Sequence, residues 1–437
     1  MIMTKLWIVF LFIINFAVAQ QKWQIQNCIQ YALQHNIDLT VQSNRLKMQE
    51  INLHESKMAL LPDLNTGIYL NNNFGRNIDA NTNTVTYNQT MSNTYWVSSS
   101  IDLFQGLVKL NNLRMQKYLL QAQKQEMEIR KNKLIMDIIT AYYTLQYSME
   151  LEKVAESQVN LAENQYKRMQ KLVEVGRETP LNAQDLKRQW KADRLKLTQA
   201  TQAKERQLLQ LKYLLRMPDT LAFTIDSLSS PVLANENTLP EVEITRLQEL
   251  PSIKKQDLML DVARKEYAIA KGKVYPRLTL SAGYNTYYFG GNPNDFNTQL
   301  QNNQNQQVFL GLNIPLFNGA SVHSEIRRKK LEMQNQALRV QQQKEQMQMA
   351  IKETFQQAKA ASDAYLSAES LLEYSRMSFE SIRKKLEKGR ATTTEFELVK
   401  QQLRMAEAEK IKALLTYKIY RNMLVFYQTG NWNHLKE

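Results

Sequence analysis

The chain has 437 residues, of which 43% are hydrophobic and 22% are charged, so it can form a folded core and is not a disordered polymer. Only 12 glycines and one cysteine occur, which argues against a glycine-rich nucleotide-binding enzyme and excludes an internal disulfide framework or a cysteine zinc cluster. The net charge of +14 is typical of proteins that bind nucleic acid or an anionic membrane. The mean hydropathy of −0.48 excludes a protein built of many membrane-spanning helices.

Residues 1–19 have the pattern of a cleaved secretory signal. Lys5 precedes a short apolar run that ends in Ala17-Val18-Ala19, which predicts cleavage before Gln20. A membrane anchor is the alternative, but the run is shorter than the ~20 residues that span a bilayer. We therefore expect an exported chain, and export argues against nucleic acid as the partner of the positive charge.

The chain contains the same series of landmarks twice, 213 or 214 residues apart. The matching segments are 36–39 with 250–253, 61–64 with 275–278, 102–106 with 315–319, and 176–179 with 389–392. Their common order and nearly constant spacing predict a tandem duplication. We place the first repeat at residues 20–216, a linker at 217–240, the second repeat at 241–427 and a C-terminal tail at 428–437.

Each repeat predicts the same elements in the same order. A first helix (24–60 and 244–274) is followed by two strands separated by a polar loop, and then by a long helix without Pro or Gly (107–175 and 320–388). The strands, recognised by alternating apolar residues, are 64–74 and 95–104 in one repeat and 278–289 and 308–317 in the other. A glycine ends each long helix, which at 1.5 Å per residue is on the order of 100 Å long, and a returning helix follows (181–216 and 393–427).

The strands have the length of tilted membrane-crossing strands. Aromatic residues near their ends could form interfacial belts, although aromatics also favour strands in general. The belt candidates are Tyr69, Trp96, Tyr284, Tyr288 and Phe309. A lipid-facing surface is expected from Leu278, Leu280, Ala282, Val308, Leu310, Leu312, Ile314 and Leu316. Four strands cannot close a barrel, and open edges are not tolerated in lipid, so the pattern predicts an oligomer.

In the duplicated order of helix, Leu-Pro-x-Leu strand, loop, strand ending in Phe-x-Gly, long helix, Gly-centred hairpin and returning helix, the chain resembles the TolC family of outer-membrane efflux proteins. The resemblance implies an α+β, mostly α, fold in which long antiparallel coiled coils form a periplasmic tube. It also implies that the four strands of each chain contribute to a shared 12-stranded barrel of a homotrimer in outer-membrane lipid. The implied partners are a periplasmic adaptor protein and an inner-membrane pump of the RND or ABC type.

The two helical hairpins carry the first candidate site. Val175, Gly176 and Arg177 form one turn and Lys388, Gly389 and Arg390 the other. Glycine serves to end a helix, but local structure does not need the arginine that follows it in both repeats. By the resemblance, we expect these turns to dock on the adaptor.

Three acidic residues lie just beyond the hairpin turns. By the resemblance, Asp185, Glu395 or Glu397 could form a carboxylate ring at a pore constriction, which would favour cations. A solvated helix face explains Glu395 equally well, and its first-repeat equivalent, Asn182, is uncharged. The Phe-x-Gly segments, with Phe104 and Gly106 in one repeat and Phe317 and Gly319 in the other, are expected to set the strand-to-helix turns.

No catalytic motif is present, and we predict no enzyme activity, no cofactor and no metal site. The histidines lack paired spacing, and there is no nucleophile elbow, P-loop or dinucleotide-binding glycine motif. The first hypothesis is therefore a passive channel of a tripartite efflux or type I secretion system. The alternative is a secreted coiled-coil structural or adhesion protein. The residues do not identify the transported substrate.

Overall fold

A computed structural model describes residues 22–78, 83–87, 89–218, 220–221, 223–226, 244–432 and 435. The predicted signal peptide, most of the predicted linker and the end of the tail lie outside these residues. Within them, no helix combines the length and the apolar character needed to cross a bilayer.

The first repeat begins with two helices, α1 (Ile25–His35) and α2 (Ile37–Met58), where the sequence predicted one. That prediction was wrong at Asn36, whose extended backbone (φ −72°, ψ 123°) ends α1. The Asn36 side chain then accepts a hydrogen bond from the Leu39 N–H at 3.1 Å and so caps the start of α2. One asparagine therefore separates two helices that share a continuous helical pattern.

The remaining first-repeat elements follow the predicted order. They are β1 (Asn65–Asn73), β2 (Asn77–Ile78), β3 (Val85–Thr86), β4 (Thr90–Gln105), α3 (Val108–Glu174) and α4 (Pro180–Leu215). The segment predicted as a polar loop contains the small β2–β3 hairpin, and β4 starts five residues earlier than predicted. Within the predicted linker, Ile225 forms an isolated parallel bridge to Trp23.

The second repeat starts with a 3₁₀ segment (Ile244–Glu249). The α-helix that follows begins at Pro251, because proline is favoured at the first position of a helix, where its missing N–H needs no partner. Its elements are α5 (Pro251–Gly272), β5 (Arg277–Phe289), α6 (Phe296–Asn302), β6 (Asn305–Asn313), α7 (Ser321–Glu387) and α8 (Thr393–Thr429). Helix α6 was not predicted, and β6 ends at Asn313 although the alternating pattern continues to Phe317.

The four long strands form one antiparallel sheet in the order β1-β4-β5-β6. The two hairpins of this sheet have equivalent registers. Asn65 pairs with Ser98 in the first hairpin, and their repeat equivalents, Thr279 and Gly311, pair in the second. The β4–β5 pairing joins the two repeats in the middle of the sheet.

The chain forms two compact units that do not follow the repeat boundaries, since each contains parts of both repeats. Unit 1 comprises the described residues within 22–39, 131–244 and 349–437, and unit 2 comprises those within 40–130 and 245–348. In unit 1 the most buried large side chains come from α3, α4 and α8: Ile138, Ile139, Leu145, Leu211, Leu215, Phe396, Leu414 and Leu424. Unit 2 contains the sheet and has a smaller buried core, which includes Ile253 and Val262 of α5.

Candidate functional site

The two helical hairpins of unit 1 turn through the same backbone motif. Gly176 (φ +71°) and Gly389 (φ +69°) have the left-handed conformation that favours glycine. The Arg177 N–H donates to the Leu172 carbonyl at 2.8 Å, and the Arg390 N–H donates to the Lys385 carbonyl at the same distance. These bonds satisfy helix-end carbonyls, so the glycines are explained by the turn itself.

The arginine side chains of these turns have no comparable structural role. Arg177 and Arg390 are exposed, as are Val175 and Lys388 beside them. Neither arginine makes an ion pair with another described residue. The turns therefore present an apolar or basic residue, a glycine and an arginine to solvent at both hairpins. Their role in adaptor docking remains a prediction.

Glu395, one of the constriction candidates, is engaged in helix capping. Its carboxylate accepts from the Thr392 backbone N–H at 2.8 Å, and the Glu395 N–H donates to the Thr392 hydroxyl at 3.2 Å. This reciprocal pair is a capping box at the start of α8. The Thr392 N–H and hydroxyl hold the pKa of Glu395 below its usual value. In the first repeat Thr179 caps α4 by accepting from the Asn182 N–H, so the uncharged Asn182 takes the equivalent position.

A buried ion pair joins α4 to α8 just beyond these caps. The Lys400 ammonium lies 2.7 Å from an Asp193 carboxylate oxygen, and both side chains are only 4% exposed. Lys196 and Gln189 approach the other Asp193 oxygen at 3.4 Å each. Sequence analysis missed this pair. The available signal was that Asp193 aligns with Ala406 of the second repeat, a buried position filled by a small apolar side chain.

Glu397, the second constriction candidate, is the fourth charged member of this cluster, after Asp193, Lys400 and Lys196. Its carboxylate lies 3.7 Å from the Lys400 ammonium, and its other oxygen is buried without a hydrogen-bond partner among the described residues. Burial raises the pKa of Glu397 above its usual value. Asp185 differs from it, because its half-exposed carboxylate makes only a loose 3.9 Å pair with Arg188.

A cavity of about 320 Å³ lies beside the cluster, lined by Asp193, Glu397 and Lys400 among others. The lining mixes carboxylates with Lys196 and Arg404, so it does not have the single sign of charge that would select one kind of ion. No group of three His, Cys, Asp or Glu side chains in the described ranges is arranged to hold a metal.

The sheet of unit 2 has two chemically different faces, as the register defines them. One, the apolar face, carries mostly apolar residues, with Thr66, Asn93, Ser99, Thr286 and Gln306 among them: Ile68, Leu70, Tyr95, Val97, Ile101, Leu278, Leu280, Ala282, Tyr284, Val308, Leu310 and Leu312. The other, the polar face, carries the aromatic residues Tyr69, Trp96, Tyr287, Phe289 and Phe309 and a larger number of polar residues, which include Asn71, Ser92, Thr94, Ser98, Ser100, Thr279, Ser281, Asn285, Asn305 and Gln307. The six predicted lipid-facing residues that lie within strands are all on the apolar face. Ile314 and Leu316 lie beyond the end of β6.

The five predicted belt aromatics do not share a face. Tyr284 and Tyr288 lie on the apolar face, whereas Tyr69, Trp96 and Phe309 lie on the polar face. Their position at the membrane interfaces stays a prediction, and the register adds that only Tyr284 and Tyr288 share the apolar face. On the polar face, the Trp96 ring lies over Gly67 and the Phe309 ring lies over Gly311. A Cβ atom added to either glycine would lie 2.8 Å from the ring that covers it.

The strand-to-helix turns place two consecutive residues in the left-handed region in each repeat. These are Gly106 and Leu107 (φ +56° and +59°), and Gly319 and Ala320 (φ +62° and +64°). A Cβ on Gly106 would lie 2.1 Å from the Gly272 carbonyl oxygen, whereas Gly319 has open space around it. Phe104 is 42% exposed, but its equivalent Phe317 is 89% exposed.

Comparison with known proteins adds a family match and a set of structural matches. The sequence profile of the outer membrane efflux protein family matches residues 28–215 and 245–427, one match in each repeat. No curated protein matches the chain significantly. The outer membrane protein VceC of Vibrio cholerae matches at a TM-score of 0.79 and 15% identity, covering 93% of this chain and 96% of that chain.

Two further solved structures are similar. The CmeC outer membrane channel of Campylobacter jejuni matches at a TM-score of 0.80 and 15% identity over 93% of this chain and 86% of its own. The MtrE outer membrane channel of Neisseria gonorrhoeae, in its open state, matches at a TM-score of 0.75 and 16% identity over 94% of this chain and 89% of its own. At these identities the likeness supports the predicted mostly helical fold with four sheet strands and two repeats.

Proposed function

The chain belongs to the outer membrane efflux protein family, and we propose that it is the outer-membrane channel of a tripartite efflux or type I secretion system. It is a channel-forming efflux protein and not an enzyme. In the proposed system it conducts substrates passively, and an inner-membrane pump supplies the energy.

The observation that carries the proposal is the two-faced sheet with open edges. Its apolar face is suited to lipid, while its polar face, on which Ser, Thr, Asn and Gln side chains outnumber the aromatic ones, is suited to a water-filled lumen. A sandwich, as in the adhesion alternative, would cover the apolar face with a second sheet, but the only other sheet in the described part of the chain is the two-residue β2–β3 hairpin. Three copies of the four-stranded sheet would make the twelve strands of a closed barrel.

The helical hairpins fit the periplasmic part of this proposal. Exposed Gly-Arg turns at both hairpins would dock on an adaptor protein, which links the channel to an RND or ABC pump. Of the three constriction candidates we retain Asp185, because its carboxylate is partly exposed and only loosely paired. Glu395 is occupied in its capping box, and Glu397 lies in the buried cluster with Lys400.

Lysine substitutions on the two faces of one strand test the lumen and lipid assignment. Leu280→Lys places a charge on the apolar face, at a cost of about 2–4 kcal/mol near the middle of a bilayer, whereas Ser281→Lys places it on the polar face. In planar lipid bilayers we expect the unaltered protein and Ser281→Lys to give stepwise conductance, and Leu280→Lys to insert rarely. Equal insertion by both variants, or no conductance from the unaltered protein, would contradict the proposal.

Site-directed photo-crosslinking tests the docking of the hairpin turns. A photoreactive residue at Val175, which is 67% exposed, is expected to trap a periplasmic adaptor in intact cells. The same residue at Tyr87, 75% exposed in the β1–β4 connection, is the control and should not. Adaptor adducts from both positions, or from neither, would count against docking at the turns.

A further inference from the structure

Positive charge is concentrated where the helices of unit 2 meet the four-stranded sheet. The segments that adjoin this end of the sheet, 48–64, 106–122, 260–276 and 314–330, contain 12 Lys and Arg residues and 6 Asp and Glu residues. The connections at the opposite end, 74–89 and 290–304, contain one Arg and two Asp. The two ends of one sheet therefore differ in sign of charge, and the basic end is suited to an anionic partner.

Three neighbouring helices carry basic residues at the same distance from the sheet. The backbones of Gly106, just before α3, and Gly272, at the end of α5, approach so closely that a Cβ on either would collide with the other. Helix α7 is aligned with α5 by the ion pair between Lys273 and Glu325, at 2.7 Å. Four basic residues lie within one helical turn of these contacts: Lys109, Lys271, Arg327 and Arg328.

Only part of this basic layer is compensated by acidic residues. Asp102 pairs with Lys109 at 2.9 Å and with Arg277 at 2.7 Å, and Glu325 pairs with Lys273. Six other basic side chains are exposed and form no ion pair with another described residue: Arg114, Lys117, Lys271, Arg327, Arg328 and Lys330. The charge of these six is available to a partner from outside the chain.

Three of the six lie on helices that have a neighbour on both sides within one chain. They are Arg114 and Lys117 of α3 and Lys271 of α5, and we call them the basic face. Side-chain contacts join α3 to α2 at 2.7 Å and to α5 at 2.9 Å, and join α5 to α7 at 2.9 Å. A further copy of the chain would therefore add no helix next to the basic face.

The charged groups of the basic face converge on one layer. Side chains of a helix slant toward its N-terminus. The N-terminus of α3 lies at the sheet, so Arg114 and Lys117 slant toward the sheet. The C-terminus of α5 lies there instead, and the Lys271 ammonium lies 5.0 Å from the ring of Tyr267, one turn farther from the sheet. These opposite slants reduce the separation of about 15 Å between Lys271 and Lys117 along the helices.

Exposed apolar residues separate the sheet from the basic face. Leu107 is 57% exposed and Tyr275 is 58% exposed, and Leu103 and Val274 are exposed beside them. An apolar sheet face, then exposed apolar and aromatic side chains, and then Lys and Arg is the order expected across a membrane interface. In that order the long basic side chains reach the lipid headgroups.

We propose that the basic face binds the anionic headgroups of phospholipids in the membrane leaflet next to the helices; this rests on the proposed outer-membrane channel. Charge complementarity selects an anionic headgroup over a zwitterionic one. The exposed apolar residues beside the basic face can contact the acyl chains, which favours a lipid over a soluble anion. The opposite end of the sheet has no excess of positive charge, so the basic face also distinguishes the two leaflets.

Lipid titration of the detergent-solubilised protein, followed by native mass spectrometry, tests the proposal. Phosphatidylglycerol and phosphatidylethanolamine with the same acyl chains differ in headgroup charge, so the ratio of their affinities isolates the electrostatic contribution. Each basic residue near an anionic surface contributes a factor of about five, and we expect at least about tenfold tighter binding of phosphatidylglycerol. In 1 M salt, where screening extends to about 3 Å, most of this preference should disappear.

Three variants assign the preference to the basic face. Arg114→Gln/Lys117→Gln/Lys271→Gln should lose it, whereas Arg114→Lys/Lys117→Arg/Lys271→Arg keeps the charges and should retain it. The matched control is Lys187→Gln/Lys352→Gln/Lys359→Gln, which removes three exposed lysines of unit 1 that form no ion pair with another described residue. This control should bind phosphatidylglycerol as the unaltered protein does.

Equal affinity of the unaltered protein for the two lipids, or an undiminished preference in the glutamine variant of the basic face, would overturn the proposal. A change in the ion selectivity of that variant in planar bilayers, with its lipid preference intact, would assign the basic face to the lumen and also overturn it. Stepwise conductance of the unaltered protein without a lipid preference would refute this inference alone, whereas absence of conductance would contradict the proposed function.

Discussion

Removing the Lys400 charge should destabilise unit 1 strongly. Lys400→Met leaves the Asp193 carboxylate, 4% exposed, without its 2.7 Å partner and leaves Glu397 without its nearest cation. A buried ion pair that loses one member costs about 3–5 kcal/mol, because a desolvated charge remains. Because Lys196 still lies 3.4 Å from Asp193, we expect the free energy of unfolding to fall by about 3 kcal/mol, the lower end of that range.

Replacing both members should restore most of that stability. In Asp193→Leu/Lys400→Met no charge of the pair remains buried, and such apolar replacements are often neutral. We expect the double variant to lie within about 1 kcal/mol of the unaltered protein. For a unit of this size, 3 kcal/mol corresponds to a Tm decrease of about 6–12 °C.

Thermal unfolding of the detergent-solubilised protein, followed by helical circular dichroism, measures these effects. Lys412→Met is the matched control, since the Lys412–Glu409 pair is 3.8 Å apart with side chains 61% and 55% exposed, and its loss should cost at most about 0.5 kcal/mol. The reasoning is refuted if Lys400→Met is no worse than Lys412→Met, or if the double variant is as unstable as the two single variants combined.

Three further predictions concern the turns, the buried carboxylate and the caps. Gly106→Ala should lower the free energy of unfolding by more than about 3 kcal/mol, because the added Cβ would lie 2.1 Å from a carbonyl oxygen. Gly319→Ala has open space around the added Cβ and should lower it by only about 1 kcal/mol, through backbone strain. Equal losses of stability in chemical denaturation would refute this difference. Because burial raises the pKa of Glu397, the folded chain holds this proton to higher pH than the unfolded chain, so stability should fall as pH rises from about 4.5 through the raised pKa. Melting curves of Glu397→Gln should lack that decrease, and an unchanged pH profile would count against it. Thr392→Ala removes the cap of α8, and Thr179→Ala removes the cap of α4. Each variant should lower the free energy of unfolding by about 1 kcal/mol and speed amide exchange in the first turn of its helix. Unchanged exchange in those turns would contradict this prediction.

The long helices could be predicted to within one or two residues because their ends carry strong local signals. The predicted 107–175 and 320–388 became α3 at Val108–Glu174 and α7 at Ser321–Glu387. Glycine in the left-handed conformation ends each helix, and these signals occur twice in the chain. Local chemistry and the repeat together determine these boundaries.

Other boundaries depend on contacts that a helical or alternating pattern does not reveal. The break at Asn36 comes from a side-chain cap, and α6 starts at an Asp295 cap and buries Gln299 almost completely. Strand β6 stops early because β5 no longer pairs with it beyond Arg277.

The candidate sites show the same division. The Gly-Arg turns were found because the motif is local and repeated. The Lys400–Asp193 pair joins residues 207 positions apart, so periodicity could not reveal it, and only the mismatch between Asp193 and Ala406 marked the site. The face of each strand aromatic also required the register, which separated Tyr284 and Tyr288 from the other three.

The number of chains in the assembled particle tests the central claim most directly. Native mass spectrometry of the detergent-extracted protein, before and after heating, should show three copies that dissociate to monomers on heating. A single, well-behaved monomer in detergent-free buffer would contradict an outer-membrane channel built from three open sheets.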